Sequence, residues 1–210
     1  EEVKTYLGKK VKSKPLVIFT PNPEQIVAAQ TDIKFGGILN SADIALPDGA
    51  GIIFASQILK SKIKNSFDPA QDGQKSKLIR EKITGIDFME ELVKLAAMKG
   101  YRVGFIGGRN GVASLALINL QKQYPGLKGW AEDGPEIKIK DQSLVTSPQS
   151  QEEYFKQLAQ RIIKSRTKIV FVGLGAPKQE FFIEELKYQI LNTRHQIPLV
   201  LMSVGGAFDI

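Results

Sequence analysis

The chain has no cysteine, one histidine and one tryptophan, and no apolar run approaches the ~20 residues that a membrane-spanning helix needs. The lack of cysteine excludes disulfides, thiolate metal sites and thiol nucleophiles, and it fits a reducing compartment. His195 stands in a polar stretch ahead of Pro198 and reads as a surface loop residue rather than a catalyst or ligand. The N-terminal stretch from Glu1 to Lys14 is charged rather than signal-like, so a soluble protein is expected.

What is present is a chain of 210 residues, 42% hydrophobic, which is enough for a continuous core and argues against disorder. Lysine and arginine number 29 against 22 acidic residues, a net charge of +7. That balance favours anionic partners such as nucleotide phosphates, an anionic membrane face or nucleic acid. The lysines are scattered, as on an ordinary solvated surface, and aromatics do not alternate with basic residues as a nucleic-acid stacking platform requires.

Short apolar runs alternate with longer helical patterns. Strands are expected at 16–19, 44–46, 102–106, 127–130, 169–172 and 199–204, and helices at 23–30, 49–59, 87–99, 111–124, 151–165 and 177–191. The order predicts an α/β, Rossmann-like fold, a mostly parallel sheet with helices on both faces. Asp87 is placed at the opening of one helix and Gly100 at its close, and Pro177 in a first turn where its missing N–H is harmless. The segment from Asn65 to Lys77 reads as an exposed loop, a lid or a tolerated insertion.

Three polar turns follow apolar runs: Thr20-Pro21-Asn22-Pro23-Glu24, Leu46-Pro47-Asp48-Gly49-Ala50-Gly51, and Gly173-Leu174-Gly175-Ala176-Pro177-Lys178-Gln179-Glu180. Turns of this kind lie at the carboxyl ends of strands, where open α/β sheets hold ligands. Asp48 is placed there as a candidate general base. A fourth turn, Gly107-Gly108-Arg109-Asn110-Gly111, could hold a diphosphate on backbone N–H groups, with Arg109 adding charge. Its spacing is not G-x-G-x-x-G, and no acidic ribose partner is evident ~20 residues on. Glycines placed for close packing explain the same turn equally well.

Together these motifs, with Thr84-Gly85-Ile86-Asp87, Tyr124-Pro125 and Val204-Gly205-Gly206-Ala207-Phe208-Asp209, resemble the WecG/TagA/CpsF glycosyltransferases over about residues 15 to 210. The resemblance implies inverting transfer of an N-acetylmannosamine-type sugar from a UDP-sugar to a polyprenyl-diphosphate-linked acceptor sugar, at the inner face of a bacterial membrane. It implies Asp48 as the base, and Thr20, Asn22 and Gln179 as contacts to the donor sugar or its diphosphate. Gly107, Gly108 and Gly175 join them as candidate substrate-binding residues. Lys82 occupies a position where relatives often carry arginine, which exchanges a bidentate fork for a point charge, and Arg80 could compensate.

No Asp-x-Asp pair occurs, so metal-independent transfer without a cofactor is expected. Relatives continue past the position where this chain stops at Ile210. The 210 residues are therefore expected to form a single glycosyltransferase core without the C-terminal membrane-contacting tail, binding UDP weakly and turning over poorly. Self-association is a further expectation, and nucleic acid is not an expected partner.

Bland roles compete at each position. Asp48 and Asn22 could be helix caps, Gln179 could reach back to cap its helix, Asp209 could be structural, and Trp130 reads as partly buried core rather than a sugar platform. Two other functions compete with transfer: a nicotinamide- or flavin-dependent oxidoreductase built on the Gly107 turn, and a non-catalytic nucleotide-sugar binding module.

Overall fold

The computed structural model describes residues 1–9, 13–48, 84–136, 138–140, 143–145, 148–193 and 197–208. The expected helix at 49–59, the loop at 65–77, Arg80, Lys82, His195 and Asp209 lie outside the described residues. In chain order the strands are β1 (Leu16–Phe19), β2 (Ile44–Ala45), β3 (Arg102–Gly107), β4 (Lys128–Glu132), β5 (Lys138–Lys140), β6 (Ser143–Val145), β7 (Thr167–Gly173) and β8 (Val200–Ser203). The helices are α1 (Glu2–Leu7), α2 (Pro23–Thr31), α3 (Ile33–Asn40), α4 (Gly85–Lys99), α5 (Val112–Gln123), α6 (Pro148–Lys164) and α7 (Lys178–Leu191).

Six strands form one sheet in the order β2-β1-β8-β7-β3-β4, and every pairing in it is parallel. The central strands are apolar through their middles because both faces are covered. Ile18, Phe105, Phe171 and Met202 pack with α1, α4 and α5 on one face. Phe19, Ile106, Val172 and Leu201 pack with α3, α6 and α7 on the other. Connections that run toward the β2 edge use the second face and those that run toward the β4 edge use the first. A single crossover hand requires that arrangement.

Within the described residues, the expected strands and helices fall where the structure has elements, with end shifts of at most three residues. Several features differ in kind. Thr84, not Asp87, is the cap of α4: Thr84 accepts from the Asp87 N–H while the Asp87 carboxylate accepts from the Thr84 N–H, so Asp87 is the third helical residue. Pro177 is the residue ahead of α7 rather than inside its first turn. Helix α3 was not expected, and it contains the weak helix formers Gly36 and Gly37. Asp32 nevertheless caps it by accepting from the Phe35 N–H at 2.8 Å, Phe35 and Ile38 are buried, and a Cβ on Gly36 would meet the Ala29 carbonyl oxygen at 2.9 Å. Packing of α2 on α3 overrides the weak propensity of the glycines. Helix α1 and the antiparallel pair β5–β6 were likewise unforeseen.

Candidate active site

The carboxyl ends of all six parallel strands open on one edge of the sheet. Strand β3 leads into α5 on the first face, whereas its neighbour β7 leads into α7 on the second. The two chains therefore diverge at their carboxyl ends and leave a crevice between them, the place where open α/β sheets bind ligands.

A cleft of about 390 Å³ occupies that crevice, lined by Gly108, Arg109, Gly134, Pro135, Glu136, Gly173, Leu174 and Lys178. Gly107 makes the close approach of β3 to β7 possible. Its φ is +148°, and a Cβ there would come within 2.2 Å of the Gly173 carbonyl oxygen. The Gly108 N–H donates to that same oxygen at 3.2 Å, and the Gly111 N–H at the start of α5 donates to the Asp133 carboxylate at 2.9 Å. These amides are spent inside the protein, so the expected backbone cradle for a diphosphate is not available at Gly108 or Gly111. The cations of the cleft are side chains, Arg109 and Lys178. Arg109 lies 3.6 Å from Glu136, and both are largely exposed, so the pair holds the guanidinium only weakly.

An acidic residue does end the strand after the glycine turn. Asp133 follows β4 directly and lies 22 residues beyond Gly111 along the chain, which corrects the expectation that none was present. The sequence signal was the Glu132-Asp133-Gly134 step, hidden because the strand was expected to end at Trp130. Trp130 itself is partly buried, as read from sequence. Its Nε1 donates to Thr167 Oγ1 at 2.9 Å, the Arg161 guanidinium lies 4.0 Å over its ring, and a Cβ on Gly104 would strike it at 2.5 Å.

Further along the same edge stand the other singled-out residues. Asp48 follows β2 and is exposed, and its N–H donates to the Pro21 carbonyl at 2.8 Å, which joins its turn to the one after β1. Thr20 ends β1 and is buried; its N–H donates to Ser203 Oγ and its hydroxyl to the Ser203 carbonyl at 3.4 Å. The first residue of α4, Gly85, abuts Thr20 so closely that a Cβ would reach Thr20 Cγ2 at 2.9 Å. Asn22 caps α2 through Oδ1, which accepts from the Gln25 N–H at 2.9 Å, while Gln25 Oε1 accepts from the Asn22 N–H. The capping role weighed for Asn22 is therefore present, and its Nδ2 group is a separate donor.

Gln179 does not cap its helix, contrary to the alternative considered for it. No side-chain cap closes the start of α7. Instead Gln179 Oε1 accepts from the Gly205 N–H at 3.0 Å, and Nε2 donates to Glu180 Oε1 at 2.9 Å. Gln179 is 2% exposed and Glu180 1%. Burial pushes the Glu180 carboxyl up to about 6, opposed by the Gln179 hydrogen bond. Glu180, Lys178 and Ser203 were not singled out from sequence. Glu180 and Lys178 lie in the turn motif that was, but nothing in the chain marks which of its polar residues turn inward. Gly175 has φ +72° with open space where a Cβ would go, so backbone conformation is what calls for glycine there.

The turns after β2, β1, β8 and β7 thus form a continuous row, joined by Asp48 to Pro21, Thr20 to Ser203 and Gly205 to Gln179. With neighbouring strands about 4.8 Å apart, the row from Asp48 to the β7 turn spans about 14 Å. Among the described residues, no group of three or more His, Asp or Glu is placed to hold a metal ion, and no helix is long and apolar enough to cross a membrane.

A sequence model of the glycosyl transferase WecG/TagA/CpsF family matches residues 1–71 and 74–210. Similar curated proteins are each named N-acetylglucosaminyldiphosphoundecaprenol N-acetyl-beta-D-mannosaminyltransferase. The one from Bacillus spizizenii is 31% identical over 209 residues, 98% of this chain and 65% of the relative. The one from Bacillus subtilis is 29% identical over 210 residues, 99% of this chain and 65% of the relative. The Staphylococcus aureus protein is 28% identical over 210 residues, 100% of this chain and 68% of the relative. The chain thus spans about two thirds of the length of the curated relatives it matches.

Proposed function

Since the chain belongs to the glycosyl transferase WecG/TagA/CpsF family, we propose that it carries the core of an inverting transferase. This core moves N-acetylmannosamine from a UDP-sugar to an N-acetylglucosamine linked to a polyprenyl diphosphate. The observation that supports this reading best is the row of turns from the exposed Asp48 carboxylate to the cationic cleft at Lys178 and Arg109. In this reading a sugar nucleotide lies along the row with its diphosphate between the carboxylate and the cations, because the anomeric carbon that Asp48 serves is bonded to that diphosphate.

In the proposed reaction the acceptor hydroxyl oxygen attacks the anomeric carbon, its proton passes to Asp48, and the bond from that carbon to the diphosphate oxygen breaks, the electron pair leaving with UDP. General-base help of this kind is worth ~10²–10⁴-fold. The remainder is assigned to positioning and to charge at the leaving group. Lys178 and Arg109 supply that charge; Arg80 and Lys82, which lie outside the described residues, are further candidates only by the resemblance to the family. The exposed Arg109–Glu136 pair yields readily to a diphosphate, whose charge is greater than that of one carboxylate. Thr20, Asn22 and Gln179 form a polar floor beneath the donor, and Gly107, Gly108 and Gly175 let the turns approach it. The absence of Asp-x-Asp in the sequence favours a reaction that needs no bound cation. A lipid-linked acceptor supports work at a membrane surface, and a UDP-sugar donor supports the inner face.

The test uses the intact protein with UDP-N-acetylmannosamine and a lipid-linked N-acetylglucosamine acceptor. Asp48→Asn should lower the transfer rate by ~10²–10⁴-fold and leave UDP affinity within about twofold, because the substitution touches the base and not the cleft. Full activity in Asp48→Asn, or no transfer by the parent protein, ends the proposal.

A further inference from the structure

Among the described residues, Glu180 Oε2 is a buried side-chain oxygen with no hydrogen-bond partner. The helix dipole at the start of α7 favours a carboxylate in this first turn, yet burial at 1% exposure disfavours its charge. An uncompensated buried oxygen on the ligand side of a sheet calls for a reason other than stability.

The reason lies in the hydrogen bonds on either side of Gln179. The Gly205 N–H can only donate, and an ionised carboxylate can only accept. An amide between them satisfies both in one orientation alone: Oε1 toward Gly205 and Nε2 toward Glu180, as found at 3.0 and 2.9 Å. We infer that Glu180 is a positioning residue for the transfer: its buried carboxylate, together with the Gly205 N–H, fixes the orientation of the Gln179 amide and, through it, holds the turn after β8 against the start of α7. The inference rests on the reading above, in which Gln179 belongs to the floor beneath the donor. The held turn is central to that floor, because Ser203 binds Thr20 on one side and a Cβ on Gly173 would touch the Gly205 carbonyl oxygen at 2.8 Å on the other. Nε2 has a second hydrogen, and its direction is set by the first. A glutamine at position 180 both donates and accepts, so it no longer discriminates between the two orientations of Gln179, and the choice is left to the Gly205 N–H alone.

Glu180→Gln in the intact protein should lower UDP affinity and kcat/KM by about tenfold, the size of one charge-assisted hydrogen bond. Its thermal midpoint at mildly alkaline pH should equal or exceed that of the parent, since a buried charge is removed. Gln179→Ala should lose at least as much function, and the double variant should lose no more than Gln179→Ala alone. The side-chain amide resonances of Gln179, identified by their disappearance in Gln179→Ala, should be a single exchange-protected pair in the parent. They should be doubled or broadened in Glu180→Gln. A single unchanged pair in Glu180→Gln, additive losses in the double variant, or a midpoint well below the parent overturns the inference. If Gln179→Ala binds UDP and transfers sugar like the parent, the donor-floor reading of Gln179 fails instead, and the resonances still judge the positioning role.

Discussion

At the scale of single residues, the carboxylates of this protein divide by environment. Asp48 stands exposed at the end of β2, whereas Glu180 is enclosed and held up at about 6 from an ordinary value of 4.5. A carboxyl whose pKa is raised by folding contributes stability that is fully present below the unfolded value and is lost as pH climbs through the folded one. The parent protein should therefore lose about 2 kcal/mol of this contribution between about pH 4.5 and pH 6 and remain without it above that range. Urea titrations across this window should show the fall in the parent and a flatter profile in Glu180→Gln. Lys178 gives a second expectation at this scale. Lys178→Ala should weaken UDP binding about tenfold and reduce its salt dependence, read by calorimetry at two ionic strengths. That Asp48 was a candidate could be read from its Pro-Asp-Gly turn alone. The roles of Glu180 and Lys178 could not, because side-chain direction at the start of a helix depends on what packs against it.

At the scale of elements, close packing explains more of the glycines than ligand contact does. Gly107 brings β3 against β7, and Gly107→Ala adds a side chain at positive φ only 2.2 Å from a backbone oxygen. A loss of at least ~2 kcal/mol is expected in denaturant unfolding, since backbone atoms cannot rotate away. Asp32→Ala removes the cap of α3 and should cost about 1 kcal/mol in the same measurement. Strand and helix patterns were legible because buried parallel strands are apolar through their middles and the helices carry caps or apolar faces. Helix α3 was not, because Phe35, Ile38 and the close contact with α2 outweigh the weak helix propensity of Gly36 and Gly37.

At the scale of the whole molecule, a net charge of +7 and the proposed acceptor carried on a lipid diphosphate make a common prediction. The intact protein should bind vesicles containing anionic lipid more tightly than neutral ones, with the difference shrinking as salt is raised. Co-sedimentation at low and physiological ionic strength measures it, and equal binding to both vesicle types contradicts it. The sheet order bears on the proposed chemistry at this scale as well. The parallel strands β3 and β7 lead to helices on opposite faces, which opens the crevice, and the adjacency of β2, β1, β8 and β7 lines up turns that are far apart in the chain.

By itself the sequence determined the α/β class, the family and the turns here proposed to carry chemistry, because these depend on local periodicity, on glycine and proline at strand ends, and on motifs short enough to read in order. The tertiary structure alone decided that the glycine-turn amides at Gly108 and Gly111 are occupied from within, that Gln179 faces Gly205 and Glu180 rather than its own helix end, and that the separate turns share one edge. Those outcomes come from contacts between segments distant in sequence, where burial and the pairing of donors with acceptors choose among orientations that the local chain leaves equal.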